Sequence, residues 1–340
     1  MHTVYERVTM CGQEFKNYNT GAMANILLTG ATGFVGNRLL HMLMARGHRC
    51  RAAVRRPSST VDVNAESVVV GDIDAHTDWR EAVAGIDVVV HLAARVHIMH
   101  DQADNPLVEF RKINLDGTRS LAEAAVRAGV KRLVYISSIK VNGESTRGKP
   151  FTPQDIPAPS GPYAIAKWEA EKALQEISRA SGLEVVIVRP PLVYGPGVKA
   201  NFHNLIKLVR RRIPLPLAGI KNKRTLVALD NLADLLLTCC EHPAAAGHVF
   251  LAGDNESVST AELIAKIARA FGQRPPVFYF PPRLMQWAAS LLGKQAVWRR
   301  LAGSLEVDIS DARTVMGWQP VTSMDDELKR IAAQMRGKDK

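Results

Sequence analysis

Three glycines set three residues apart, Gly30, Gly33 and Gly36, constrain this chain more than any other feature. They follow a short apolar run, Ile26-Leu27-Leu28, and precede an amphipathic segment with Val35, Leu39, Leu40, Leu43 and Met44 at helical spacing. Strand, glycine turn and helix in that order are the context in which a glycine fingerprint has meaning. Gly30 makes the tight turn off the strand, Gly33 lets backbone approach a pyrophosphate, and Gly36 lets helix and strand pack closely. The helix start turns its free N–H groups and its positive dipole end toward phosphate. Thr32, Phe34 and Val35 lie among these glycines and are assigned with them to a dinucleotide. The spacing is GxxGxxG, not the commoner GxGxxG.

At 340 residues the chain is long enough for about two domains or lobes. A hydrophobic fraction of 46% and a charged fraction of 23% are those of an ordinary globular protein. The greasiest stretches, 232–240 and 284–292, are each about half of the ~20 residues a spanning helix needs, so no transmembrane segment is expected. Residues 1–22 show neither a secretory nor a transit pattern and read as a leader without structure ahead of Met23. Cys11, Cys50, Cys239 and Cys240 have no metal-ligand spacing and no disulfide pattern, which fits a reducing cytoplasm and no bound metal.

The net charge is +11, from 44 basic and 33 acidic residues. Basic residues gather at 46–56, 210–212, 221–224, 299–300 and the C-terminal tail, without interleaved aromatics or a reader motif, so no nucleic-acid partner is expected. An anionic small substrate or an anionic membrane surface uses the charge equally well.

A second strand from about Cys50 to Val54 ends in Arg55. In a doubly wound fold the residue ending this strand faces the adenosine ribose: an acid accepts the 2′-hydroxyl of NAD, an arginine accommodates the 2′-phosphate of NADP. Arg55 therefore tilts an NAD(P) assignment toward NADP(H). A third strand, Ser67–Val70, leads to Gly71-Asp72-Ile73, and a fourth, Val88–Leu92, to Ala93-Ala94. Helical segments alternate with them (79–84, 109–128), the pattern of a parallel sheet. Small residues after the fourth strand let a cofactor lie against the sheet edge.

The fifth strand, Arg132–Ile136, runs into Ser137-Ser138, and after a Pro/Gly-rich loop a helix opens at Pro162. Tyr163 and Lys167, four apart, share one face of that helix. A neighbouring ammonium favours tyrosinate, so the lysine is expected to lower the phenol's pKa and fit it for proton exchange at an alcohol or ketone carbon.

The chain resembles the extended short-chain dehydrogenase/reductases, the NAD-dependent epimerase/dehydratase family. The resemblance rests on Thr29-Gly30-Ala31-Thr32-Gly33-Phe34-Val35-Gly36, Gly71-Asp72-Ile73, His91-Leu92-Ala93-Ala94, Asn114-Leu115-Asp116-Gly117-Thr118, Ser137-Ser138, Tyr163-Ala164-Ile165-Ala166-Lys167 and Arg189-Pro190-Pro191-Leu192-Val193-Tyr194-Gly195-Pro196. It implies a Rossmann sheet with a smaller C-terminal α/β lobe. Residues 24–190 with about 225–253 would bind NAD(P), 191–224 with 254–330 would bind a sugar nucleotide, and 331–340 would be a basic tail. By the same resemblance Tyr163 is the general acid/base, Lys167 holds the nicotinamide ribose, and Ser138 hydrogen-bonds the reacting oxygen. Asp72 and Ile73 border the adenine, Leu92, Ala93, Ala94, Pro190 and Val193 line the cofactor, and Asn114 supports the lysine through water. Asn201, Phe202, Arg224 and Arg300 fall to a UDP-sugar, the arginines because a guanidinium fork matches phosphate oxygens. The resemblance also implies a homodimer through two helices per subunit, one of them bearing Tyr163.

Departures narrow the reaction. Ile139 and Lys140 stand where dehydratases carry Asp-Glu, which disfavours elimination of water, and Leu192 replaces an asparagine common in epimerases. The details favour NAD(P)H-dependent reduction of the C4 ketone of a UDP-4-keto-6-deoxy-N-acetylhexosamine in surface-polysaccharide synthesis. The alternatives are a UDP-hexose or UDP-hexosamine 4-epimerase with retained NAD and, more remotely, a non-catalytic cofactor-binding scaffold. The basic stretch 281–301 with Trp287 and Trp298 reads as a lobe-core helix, with peripheral contact to a membrane surface as the other reading.

Overall fold

The computed structural model describes residues 7–10 and 13–16 as backbone, and 23–57, 61–62, 64–96 and 105–338. Arg7–Met10 and Gln13–Lys16 pair as an antiparallel hairpin. The leader expected to lack structure thus carries two paired strands, and the rest of 1–22 lies outside the described residues.

Seven parallel strands form the main sheet: β1 (Asn25–Thr29), β2 (Arg49–Val54), β3 (Glu66–Val69), β4 (Val88–His91), β5 (Arg132–Ile136), β6 (Glu184–Arg189) and β7 (Val249–Leu251). Their order is β7-β6-β5-β4-β1-β2-β3, with every neighbouring pair parallel. Chain order therefore reverses between β1 and β4, and the crevice at their carboxyl ends is where such a sheet takes a ligand. The strands read as continuous apolar runs because both faces are covered. Ile26, Leu28, Val90 and Val134 pack to one side, with the buried helix Leu229–Glu241. Leu27, Val89, Leu133 and Tyr135 pack to the other, with Leu121 and Leu174 of the crossover helices.

Leu192–Tyr194, Arg224–Ala228 and Ser257–Val258 form a second, three-stranded sheet. Over it sits a separate core of Tyr194, Phe202, Ile206, Leu226, Ile264 and Leu328. The stretch expected as a basic tail from 331 is instead the second half of a helix, Met324–Lys338. Met324, Leu328 and Ile331 recur at helical spacing and are buried, so burial of that stripe outweighs the polar character of the sequence around it.

Candidate active site

Each glycine of the turn has a distinct reason to be there. Gly30 adopts φ +72°, and a Cβ on it would meet the Ala93 nitrogen at 2.9 Å, so the turn lies directly against the end of β4. A Cβ on Gly36 would sit 2.1 Å from the Gly30 carbonyl oxygen, so only glycine lets the helix Phe34–Ala45 start this close to the strand. The Gly33 N–H donates to Gly30 O at 2.9 Å, and no side chain caps the helix start or places an acid in its first turn. Backbone N–H groups and the positive dipole end are thus presented where β1 and β4 diverge, a cradle that fits a dinucleotide pyrophosphate.

Thr29 ties the two strand ends together: its Oγ1 accepts from the N–H groups of Leu92 (3.2 Å) and Ala93 (3.1 Å) and donates to Nδ1 of His91 (2.7 Å). His91 Nε2 then donates to Thr118 Oγ1 (3.0 Å), which donates to the Asn114 carbonyl (2.8 Å). That direction follows because the single Thr118 proton goes to Asn114, leaving His91 as donor. Burial pushes the His91 imidazolium down to about 3, so the ring is neutral and serves as wiring. The Asn114 side chain is committed to Arg95, accepting its N–H (2.8 Å) and donating to its carbonyl (3.0 Å). It sits in a π-helical turn, Lys112–Asp116, within the helical run from Pro106 to Arg127. Asn114 thereby fixes the loop leaving β4, a role its assignment to the lysine did not anticipate.

The Tyr163 helix runs from Pro162 to Ser181, with proline in its first turn and Gly182 closing it at φ +77°. Tyr163 is half-buried, its ring edge-on to Phe110 at 5.9 Å, and its hydroxyl is hydrogen-bonded to Ser138. Lys167 is fully buried one turn on, and its Nζ donates to Ile136 O (2.8 Å) and to Tyr135 Oη (3.2 Å). The expected lowering of the phenol by the lysine does not occur here. Burial pushes Tyr163 up to about 12, only partly offset by the Ser138 hydrogen bond. Burial likewise brings Lys167 down to about 7, against the pull of Glu171, and its Nζ is turned to the strand end. At neutral pH that lysine is only about half charged.

Behind this face, Arg189 makes a buried bidentate pair with Glu171 (2.9 and 2.5 Å) and donates to Asn142 Oδ1 (2.9 Å). The pair locks the end of β6 to the Tyr163 helix and to the segment following Ser138. Ile139 is buried and Lys140 is exposed beside Glu144 at 3.3 Å, so neither can serve a departing sugar hydroxyl. Pro190 accepts the Ile139 N–H (3.0 Å), and Val193 pairs with Val227 in the second sheet.

Other assigned residues lie farther out. Arg55 and Asp72 are both largely exposed and paired with each other at 3.0 Å. Ile73 packs against Gly117, where a Cβ would come within 2.4 Å of it. Arg224 is half-buried and donates to Gly303 O (3.1 Å), Arg300 is exposed, and Asn201 is exposed in the first turn of the helix Ala200–Arg210. The Phe202 ring is buried in the lobe core 5.4 Å from Tyr194, which gives it a packing role rather than contact with a sugar. Sequence reasoning gave no role to Tyr135, Thr118 or Phe110; Tyr135 fell there only within the fifth strand, and Thr118 and His91 only within motifs.

The family profile for the NAD dependent epimerase/dehydratase family matches residues 26–253, the span from β1 through the end of β7. The chain belongs to that family. Among epimerase/dehydratase relatives, it is 44% identical over 313 residues to UDP-glucose 4-epimerase of Vibrio cholerae, covering 91% of this chain and 94% of that one. It is 26% identical over 260 residues to N-acetyl-alpha-D-glucosaminyl-diphospho-ditrans,octacis-undecaprenol 4-epimerase of Escherichia coli O157:H7, covering 76% of this chain and 75% of the relative. The solved structure of MoeE5 in complex with UDP-glucose and NAD superposes with a TM-score of 0.73 at 25% identity, over 93% of this chain and all of that one. The matched span contains the glycine cradle together with Ser138, Tyr163 and Lys167. Among the described residues no helix is long and apolar enough to cross a membrane, and no group of three His, Cys, Asp or Glu is placed to hold a metal.

Proposed function

We propose that this protein interconverts the C4 epimers of a UDP-hexose or UDP-N-acetylhexosamine, with NAD retained between turnovers. The observation that carries the reading is the hydrogen-bonded Ser138–Tyr163 pair above Lys167, within a chain 44% identical to a UDP-glucose 4-epimerase. Both relatives described above are named for C4 epimerisation of a sugar held on a diphosphate. This displaces the C4 reductase favoured by the strand-end motifs, which has no counterpart among those relatives. Leu192, 44% exposed at the start of the strand Leu192–Tyr194, stands where the resemblance places an asparagine in many epimerases.

Bound NAD supplies the acceptor and donor of a hydride at C4. In its tyrosinate form Tyr163 takes the C4 hydroxyl proton as the carbon is oxidised, and as the phenol so formed it returns that proton to the ketone oxygen when the other face is reduced. One group thus serves as base and then as acid. Ser138 steadies that oxygen through its hydroxyl. Lys167, held by Ile136 and Tyr135, lies one turn beyond Tyr163 on the same helix. Arg224, on the edge of the second lobe, suits a diphosphate. On the adenosine side, Arg55 is engaged by Asp72, which argues less for a 2′-phosphate than a free arginine would. We therefore take the cofactor as NAD. The free, buried Cys50, Cys239 and Cys240 fit a reducing cytoplasm, and the Tyr163 helix is one of the two helices per subunit of the expected homodimer.

The test is incubation of the purified protein with UDP-glucose or UDP-GlcNAc, following the anomeric proton signals. Formation of the C4 epimer to equilibrium, with no net change in nicotinamide absorbance, is the expected result. Absence of epimer, together with stoichiometric NAD(P)H consumption on a UDP-4-keto-6-deoxy-GlcNAc, would overturn the reading in favour of the reductase.

A further inference from the structure

The helix Pro282–Leu291 and the helix Gln295–Ala302 after it form a hairpin without a single fully buried residue. Only Met285, Trp298 and Ala302 turn inward against the lobe core. Leu284, Trp287 and Leu291 recur at i, i+3 and i+7, so they form one stripe, and that stripe faces solvent: they are 53%, 64% and 67% exposed. Leu292 extends it at 70%, and Phe278, Tyr279 and Phe280 stand exposed just before the hairpin. Exposed aromatic and aliphatic side chains aligned along one helix face in this way mark an interaction surface rather than ordinary scatter. The lobe-core reading of this stretch therefore holds only for its underside.

Charge says what covers it. From Leu263 to Leu305 the chain contains no aspartate or glutamate, while Arg274, Arg283, Lys294, Arg299 and Arg300 are all exposed there. The hairpin is also held at both feet. Leu215 N–H donates to Pro276 O and Ala218 N–H to Phe278 O, at 2.7 and 3.1 Å. At the other foot, Leu301 O accepts from Thr260 Oγ1 (2.7 Å) and Gly303 O from Asn222 Nδ2 (3.0 Å) and Arg224 Nε (3.1 Å). A basic, acid-free rim around a fixed Trp/Leu stripe is complementary to lipid headgroups of negative charge over an apolar interior. Each helix is far too short to span, so the surface can only lie on the bilayer.

We propose that this hairpin docks the protein on an anionic membrane surface, with Trp287, Leu284 and Leu291 entering the headgroup boundary and Arg283 and Lys294 meeting lipid phosphates. The docked face belongs to the lobe that carries Arg224, whose Nε is bonded to Gly303 at the foot of the hairpin.

The test is co-sedimentation of the full-length protein with vesicles of phosphatidylglycerol and phosphatidylcholine, against vesicles of phosphatidylcholine alone. Wild type should pellet with the anionic vesicles, lose much of that binding at high salt, and show a blue-shifted tryptophan emission when bound. Arg283→Gln with Lys294→Gln should lower the partition on the order of tenfold, and Trp287→Glu with Leu291→Glu should abolish it. Both pairs are exposed and lie outside the catalytic set, so circular dichroism and turnover of a soluble UDP-sugar should stay at wild-type level and report intact folding. Wild type remaining in the supernatant, or the glutamate pair binding as wild type does, overturns the proposal. So does self-association that the glutamate pair abolishes in the absence of vesicle binding, which would assign the face to a second copy of the chain.

Discussion

Lys167 shows how far burial governs this site. Its Nζ has a carbonyl and a phenol as partners, and the ammonium is brought down to about 7. An unfolded lysine titrates near its ordinary value of 10.5, so between about pH 7 and pH 10 the unfolded chain binds the extra proton and folding gains stability as pH rises. Lys167→Met should lack that slope. The stability advantage of wild type over the variant should grow by up to ~1.4 kcal/mol per pH unit in this window, measured by urea unfolding near pH 7 and near pH 9. Tyr163 rests as the phenol, pushed up to about 12, and its single oxygen makes the Ser138 contact. Tyr163→Phe should lower kcat by about 10²- to 10⁴-fold while the ring keeps its edge contact with Phe110 and the thermal midpoint is unchanged.

At the scale of elements, two junctions set the geometry. The helix Phe34–Ala45 begins where Gly36 leaves no room for a side chain, with the Gly30 carbonyl 2.1 Å from a virtual Cβ. Gly36→Ala must push helix and strand apart, and we expect a loss of about 3 kcal/mol together with failure to retain NAD, read by thermal unfolding and by nucleotide release on denaturation. The second junction is the Arg189–Glu171 pair joining β6 to the Tyr163 helix, with both side chains buried. Glu171→Ala strands a buried guanidinium and should cost about 3–5 kcal/mol in denaturant unfolding. Replacing both partners, Glu171→Leu with Arg189→Met, should recover most of that loss, because the desolvation cost of the charges leaves with them.

Across the whole molecule, Asp230 gathers the first helix and the last: its carboxylate accepts from Arg38 (2.7 and 2.9 Å) and from Arg330. Glu327, beside it, is buried and pushed up to about 7, chiefly by desolvation and then by Asp230. Its unfolded form titrates near 4.5, so between about pH 4.5 and pH 7 the folded state holds the extra proton and stability falls as pH rises. Glu327→Gln should remove that fall. Relative to wild type the variant gains up to about 3 kcal/mol on going from pH 5 to pH 8, measured by unfolding at the two values.

Taken by itself, the sequence determined what short-range geometry dictates. Glycines three apart after an apolar run demand a tight turn into a helix, and residues four apart on a helix share a face, so the cradle and the Tyr163–Lys167 alignment were legible without coordinates. Only the tertiary structure decided what depends on partners distant in sequence. Thr29 meets His91 62 residues on, and Lys167 meets Tyr135 32 residues back. Those contacts and the burial around them, not the i, i+4 spacing, set the protonation of the tyrosine and lysine. The same holds for Phe202, which disappears into the lobe core, and for Trp287, which does not. Both are aromatics near a helix start or on a helix face, and which side is covered depends on what the rest of the chain places there.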